Sequence, residues 1–329
     1  MTSASRIPKR DHSQPAGSQG LERDDFESNG VAAKSSTEKG PQSNVFKGNG
    51  FVAALRVELF TTSRTRLPWL LVAAPALAVA LRLLLVKITT SNQALRASVT
   101  GDADVQTING YGYMVDGFST GLTLLYLIFI AYAAFSFAID RDHGVVRHLV
   151  IRRVSRRALI GAKFLVFNIL ALVSVAAVII VALVLSRLFW DLGPVVEDGF
   201  EIIGEPAIRE EIRMGLTLAL LPLPACLALG LLISVCAGSA TQAVALAVGI
   251  TLVVDIFKNL LGKGAHYLYA AFQPSLIDQS YLSDVARIVR GYSDVLIDQG
   301  VYQLNLWIPL PQAILFVILA LVVVGRRKL

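Results

Sequence analysis

The chain has 329 residues, of which 54% are hydrophobic and only 16% charged, and its mean hydropathy is +0.61; this balance excludes an ordinary soluble domain and suits a polytopic membrane protein. The net charge of +6 would suit a nucleic-acid partner, but the basic residues sit in segments flanking apolar runs, where membrane orientation already explains them, so no nucleic acid is expected. Cys226 and Cys236 fall in one apolar run on different helix faces, so neither a mutual disulfide nor a paired metal site is indicated.

Residues 1–49 are rich in Ser, Gly, Lys, Glu, Asp, Gln and Pro and contain no apolar run, so they read as a disordered cytoplasmic tail. Without an apolar h-region they are not a signal peptide. In 51–66, Phe51, Leu55 and Leu59 recur at helical spacing beside Ala54 and Phe60, while Arg56, Arg64 and Arg66 supply a polar side. The pattern predicts an amphipathic interfacial helix, with Leu55, Glu58 and Leu59 at its centre, leading into the first span.

Six apolar runs follow, at 67–86, 118–139, 164–189, 214–236, 240–257 and 306–324. Each approaches the roughly 17 to 25 residues that cross a bilayer as a helix. The predicted fold is therefore all-α and polytopic, with six transmembrane helices in a domain 50–329 entered through the interfacial helix.

Between the second and third runs lies a charged island, FAIDRDHGVVRHLVIRRVSRRALIGAKF, at 137–164. It holds Arg141, Arg147, Arg152, Arg153, Arg156, Arg157 and Lys163 against Asp140 and Asp142. Such a segment is too polar for hydrocarbon and must be an aqueous loop, and its basic excess places it in the cytoplasm. The remaining loops agree with that orientation. Residues 190–213 carry seven acids and two arginines, 87–117 carry three acids and two basic residues, and both suit the outside, whereas Arg326, Arg327 and Lys328 belong inside. Both termini are expected in the cytoplasm, in a multi-pass protein of the cytoplasmic membrane. The last external segment, 258–305, is long for a connection. Val285, Ile288, Val289, Tyr292 and Leu296 recur at helical spacing there, which predicts one or two short amphipathic helices at the outer face, or re-entrant structure buried in protein.

Arg82 and Arg187 lie near outer span ends, within snorkelling reach of water. Asp255 snorkels less well, so it is either a paired or substrate-facing group or simply neutralised by Lys258, three residues on. Pro222 and Pro224 should kink or locally unwind the fourth span, as a structural bend or as part of a pathway. Catalytic signatures are missing. There is no GxxxxGK[ST] phosphate loop, no HExxH, no Cys/His cluster and no Gly-x-Ser-x-Gly elbow, so the chain is read as a non-enzyme that binds no cofactor.

Phe137, Ala138, Asp140, Arg141, Asp142, Gly144, Arg147, Leu149, Val154, Ser155, Arg156, Leu159, Gly161 and Lys163 resemble, in order and spacing, the segment joining spans two and three of type 2 ABC transporter permeases. Asp140 stands where that family usually has Glu, and Arg153 where it usually has Pro. The stretch 55–66 is similar to the family's amphipathic entry helix, and 290–294 and 325–328 to further family features. The resemblance implies a coupling loop at 140–163 that docks on an ABC ATPase subunit. It assigns the contact to Asp140, Arg141, Asp142, Gly144, Val145, Val146, Leu149, Val154, Ser155, Arg156 and Lys163. It also implies an exporter active as a homodimer or heterodimer of permeases among membrane lipids, with ATP and Mg bound by the partner subunit. The composition of the island alone equally allows a non-transporting membrane scaffold or sensor that docks a cytoplasmic partner on its basic loop.

Overall fold

In a computed structural model of the chain, six helical stretches among the described residues are long and apolar enough to cross a membrane, as the hydropathy of the sequence predicts. The structure describes residues 50–100, 109–144, 155–197, 200–271, 273–276, 281–290, 303 and 306–326, which all fall within one unit, Gly48–Leu329. The tail 1–49 and positions 145–154 of the island lie outside the described residues.

In chain order the elements are α1 (Gly50–Arg64), α2 (Arg66–Thr100), α3 (Gly110–Asp142), α4 (Arg156–Phe189), a hairpin of β1 (Val195–Glu197) and β2 (Phe200–Ile203), and α5 (Glu205–Leu220). These are followed by α6 (Leu223–Cys236), α7 (Ala240–Phe257), a 3-10 helix (Lys258–Tyr267), α8 (Tyr281–Val289) and α9 (Pro309–Arg326). Together α5 and α6 form one span, Glu205–Cys236.

Several helices outrun the apolar runs that predict them. At 35 residues, α2 is about 52 Å long, well beyond the roughly 30 Å of hydrocarbon. Its polar end, residues 87–100, is helix where the sequence suggests loop. The acidic stretch 205–213 likewise belongs to α5 rather than to a connection. The island is also shorter as a loop than its charge implies, since α3 runs through Asp142 and α4 starts at Arg156. Hydropathy marks only the part of a helix that sits in hydrocarbon and says nothing about polar turns beyond it. The short antiparallel hairpin β1–β2, paired from Val195↔Ile203 to Glu197↔Phe200, has no counterpart in the sequence reading.

At the centre stands α3, which packs against α2, α4, α6, α7 and α8. Phe118, Leu122, Leu125, Tyr126, Phe129 and Phe137 are buried along it. Gly121 permits this closeness, because a β-carbon there would lie 2.5 Å from Val79 and 2.8 Å from Val178, so that α2 and α4 close on both sides of the helix. By contrast fewer than a third of the residues along the apolar stretches of α2, α7 and α9 are buried within the chain.

The proline pair breaks the fourth span. α5 ends at Leu220 and α6 begins at Leu223, because Pro222 and Pro224 each lack the amide hydrogen that would continue the ladder. At the break, the hydroxyl of Tyr126 on α3 donates to the carbonyl of Ala219 at 2.6 Å. Near the opposite end of the bundle from Asp140, α8 lies between α3 and α5 with Tyr281, Leu282, Val285, Ala286 and Val289 buried. Thus an amphipathic helix does form within 258–305, and its apolar face covers protein. Tyr281 donates to Glu211 and Arg290 pairs with Asp116, which clamps the helix at both ends. Positions 291–300 of the same pattern lie outside the described residues.

Candidate functional site

The island grows out of two helix ends whose local chemistry is plain. α3 stops because Gly144 takes φ +71, the left-handed region, and its amide donates back to the carbonyl of Arg141 at 2.9 Å. Among the described residues nothing lies within 4 Å of where a β-carbon would sit, so the backbone angle calls for glycine there. α4 starts at Arg156 because Ser155 caps it, its Oγ accepting from the amide of Ala158 at 3.1 Å. Arg156 is the first helical residue. Val145, Val146, Leu149 and Val154 lie outside the described residues.

Just below these ends, Lys163 of α4 is buried between two carboxylates. Its Nζ lies 2.7 Å from Glu58 Oε1 on α1 and 2.8 Å from Asp140 Oδ2 on α3, and its side chain is 4% exposed. An ammonium so far out of water is tolerated only where opposite charges and hydrogen bonds replace its hydration. One lysine therefore ties three helices together at the island end of the bundle. Glu58 can reach it because Ala54, Glu58 and Thr62 share one face of α1 and that face packs on α4. Leu55 is half-buried beside them and the ring of Phe51 lies against Gly161 of α4, whereas Leu59 and Phe60 point outward. The helix thus presents its acidic residue inward and much of its apolar stripe outward.

The next two residues of the island reach the other half of the bundle. Arg141 Nη1 donates to the carbonyl of Ala237 at 2.8 Å, at the end of α6. Asp142 Oδ2 accepts from the amide of Ala240 at 2.8 Å, at the start of α7, where the helix dipole favours a carboxylate. One turn back, Ser234 Oγ accepts from the amide of Ala138 at 3.0 Å. Between them, Asp140, Arg141 and Asp142 hold α4, α6 and α7 to the last turn of α3, and Lys163 carries the link on to α1. On the neighbouring side, the Arg157 guanidinium lies against Gly325 of α9.

The structure thus gathers Asp140, Arg141, Asp142, Gly144, Ser155, Arg156, Lys163 and Glu58 at one end of the bundle. Asp255 belongs to the other end, where it pairs with Lys258 at 2.9 Å, and Pro222 and Pro224 lie at the break between α5 and α6. Sequence reasoning missed the contacts to Ser234, Ala237 and Ala240. Their only trace in the sequence is the short connection Ala237–Ser239, which must fall on the island's side of the membrane whenever α6 and α7 are adjacent spans. Among the described residues, no group of His, Cys, Asp and Glu side chains gathers as a metal site.

The family model described as ABC-2 family transporter protein matches residues 54–258, a stretch that runs from Ala54 on α1 to Lys258 just past α7 and includes the whole island. No curated protein and no solved structure matches the chain.

Proposed function

Because the chain belongs to the ABC-2 family of transporter proteins, we propose that it is the transmembrane subunit of an ATP-driven exporter whose nucleotide is bound and hydrolysed by a separate ATPase subunit docked on the island. The observation that carries this reading is the buried Lys163, bridging Glu58 and Asp140 directly beneath the loop. A loop rooted this way cannot shift without moving α1, α3 and α4 together, and Arg141 and Asp142 extend the grip to α6 and α7. Packed helices with two discrete arrangements convert such a push into a rigid-body change. The basic excess of the island and of the C-terminal Arg326, Arg327 and Lys328 supports placing this end, and both termini, in the cytoplasm.

A second permease subunit completes the passage in this reading, because a single six-span chain, with four of its other spans packed closely on α3, leaves the transport route to an interface between copies or related chains. The exposed stripe of α7, Leu246, Ile250, Val253 and Phe257, supports that interface. Gly249 lies within the stripe and, among the described residues, nothing comes within 4 Å of its β-position, so a neighbouring helix can approach closely. Val146 and Leu149 supply apolar docking contacts to the ATPase.

The test is to purify the full chain with whatever subunit accompanies it, reconstitute it in proteoliposomes and measure ATP hydrolysis, comparing the native chain with Val146→Glu/Leu149→Glu. The proposal expects an ATPase to co-isolate and the double variant to lose it or its activity by about tenfold or more, since burying two unpaired charges in an apolar contact costs several kcal/mol. If nothing that hydrolyses ATP accompanies the native chain, the loop is instead the docking site of a scaffold.

A further inference from the structure

At the end of the bundle away from the island, the close of α4 and the starts of α3 and α5 frame an open pocket of about 410 Å³, lined by Tyr111, Arg187, Trp190, Asp191, Leu192 and Glu205. Its level is that of a lipid headgroup. From Phe164 to Ser186 α4 carries no charged side chain, a length of about 34 Å, so Arg187 stands where roughly 30 Å of hydrocarbon ends. Trp190, which closes the helix, and Tyr113, stacked on it at 4.4 Å, are aromatics of the kind that settle at a membrane–water boundary. Below Arg187 on the same face of α4, Ile169, Val173, Ile180 and Val184 are all exposed. An apolar stripe therefore runs down from the pocket into the bilayer.

Two of the pocket's charges are uncommitted. Arg187 and Asp191 are both exposed, and neither makes a hydrogen bond or a close ion pair among the described residues. Glu205, by contrast, accepts from Tyr111 at 2.6 Å and pairs with Arg209. A simple anion would find Arg187 but also two carboxylates, and a simple cation would find the acids but also Arg187. A ligand that carries both signs meets each with its opposite. The order along the membrane normal is that of a phospholipid: apolar stripe, then Arg187, then Asp191 past the end of the helix. The ring of Trp190 already carries Tyr113 and, at 5.5 Å, the ammonium of Lys87, so it is not open as an aromatic cage for a quaternary ammonium. A primary ammonium needs no cage, because it donates hydrogen bonds to a carboxylate. We propose that this pocket seats the headgroup of a phospholipid of the phosphatidylethanolamine class from the leaflet away from the island, with its phosphate on Arg187, its ammonium on Asp191 and an acyl chain along Val184 and Ile180. The site requires only that these helices span a membrane, so its failure would leave the coupling reading intact.

The experiment places the full chain in phosphatidylcholine nanodiscs with a trace of phosphatidylethanolamine bearing a photoactivatable group in its acyl chain, followed by mapping of the labelled peptides. Unlabelled phosphatidylethanolamine, phosphatidylglycerol and soluble glycerophosphoethanolamine serve as competitors. Labelling is expected on α4 within 169–190, with phosphatidylethanolamine competing about threefold or more better than phosphatidylglycerol, which lacks the ammonium, as suits one ion pair at an exposed site. Glycerophosphoethanolamine, which has no acyl chains, should compete far more weakly than either lipid. Asp191→Asn should bring the ratio between the two lipids to about one, and Arg187→Gln should lower labelling about threefold, both without a change in melting temperature. Glu210→Gln, which removes an exposed acid at the same end of the bundle but outside the pocket, should leave the ratio as it is. Equal competition by the two lipids, a ratio that survives Asp191→Asn or falls as far in Glu210→Gln, competition by glycerophosphoethanolamine as strong as by the lipid, or absence of labelling in 169–190 overturns the proposal.

Discussion

Lys163 is the residue on which the island depends. Replacing it by Met leaves Glu58 and Asp140 facing each other with their common counter-ion gone, and breaking a buried pair in this way costs about 3–5 kcal/mol. Lys163→Met should therefore lower the melting temperature in detergent by many degrees. The triple variant Glu58→Gln/Asp140→Asn/Lys163→Met, in which no buried charge is left unpaired, should recover most of that loss. If the single variant melts with the native protein, the cluster contributes nothing and the argument built on it fails. At this scale the sequence is only partly legible. Lys163, Asp140 and Ser155 stand out within the island, but Glu58 lies far away along the chain, and no local pattern states that the two will meet. The repetition of Ala54, Glu58 and Thr62 at four-residue spacing is the one hint that the acid faces inward, and the more conspicuous apolar stripe of Phe51, Leu55 and Leu59 masks it.

Among the elements, the broken span is the most informative. Its discontinuity follows from Pro222 and Pro224, whose missing donors force α5 and α6 apart, and this much can be foreseen from sequence. That the break would be held by Tyr126 from α3 could not be foreseen, since an aromatic in a span reads only as apolar. Tyr126→Phe removes the hydroxyl and leaves the Ala219 carbonyl without it in a buried setting, a loss of about 1–3 kcal/mol. Chemical denaturation of the reconstituted protein should register that loss without a change in helix content by circular dichroism. A variant as stable as the native protein would mean that the carbonyl finds another donor. The number of spans was legible because each requires a long apolar run. The polar extensions of α2 and α5 were not, nor was the hairpin, because helix and strand outside hydrocarbon leave no hydropathy signal.

For the molecule as a whole, pairing of permease subunits and coupling to an ATPase are claims about assembly. If α7 lines the subunit interface, a cysteine at Leu246 in a chain whose Cys226 and Cys236 are replaced by Ala should form a disulfide-linked dimer in membranes on mild oxidation. A cysteine at Leu172, equally exposed but on α4, should not. Equal yields at the two positions would place the interface elsewhere, or show that collision in the bilayer explains both. The fold class and the family follow from order and spacing along the chain, whereas the assembly is written in surfaces whose partners the sequence does not contain.

Coupling is tested most directly by cross-linking. A cysteine at Leu149, again without Cys226 and Cys236, is joined by a short bifunctional reagent to the co-isolated ATPase in proteoliposomes, with and without a non-hydrolysable ATP analogue. The account predicts a specific adduct to the ATPase whose yield changes severalfold between the two nucleotide conditions, and loss of that change in the charge-neutral triple variant at Glu58, Asp140 and Lys163. An adduct indifferent to nucleotide, or the same nucleotide response with the cluster neutralised, would contradict it.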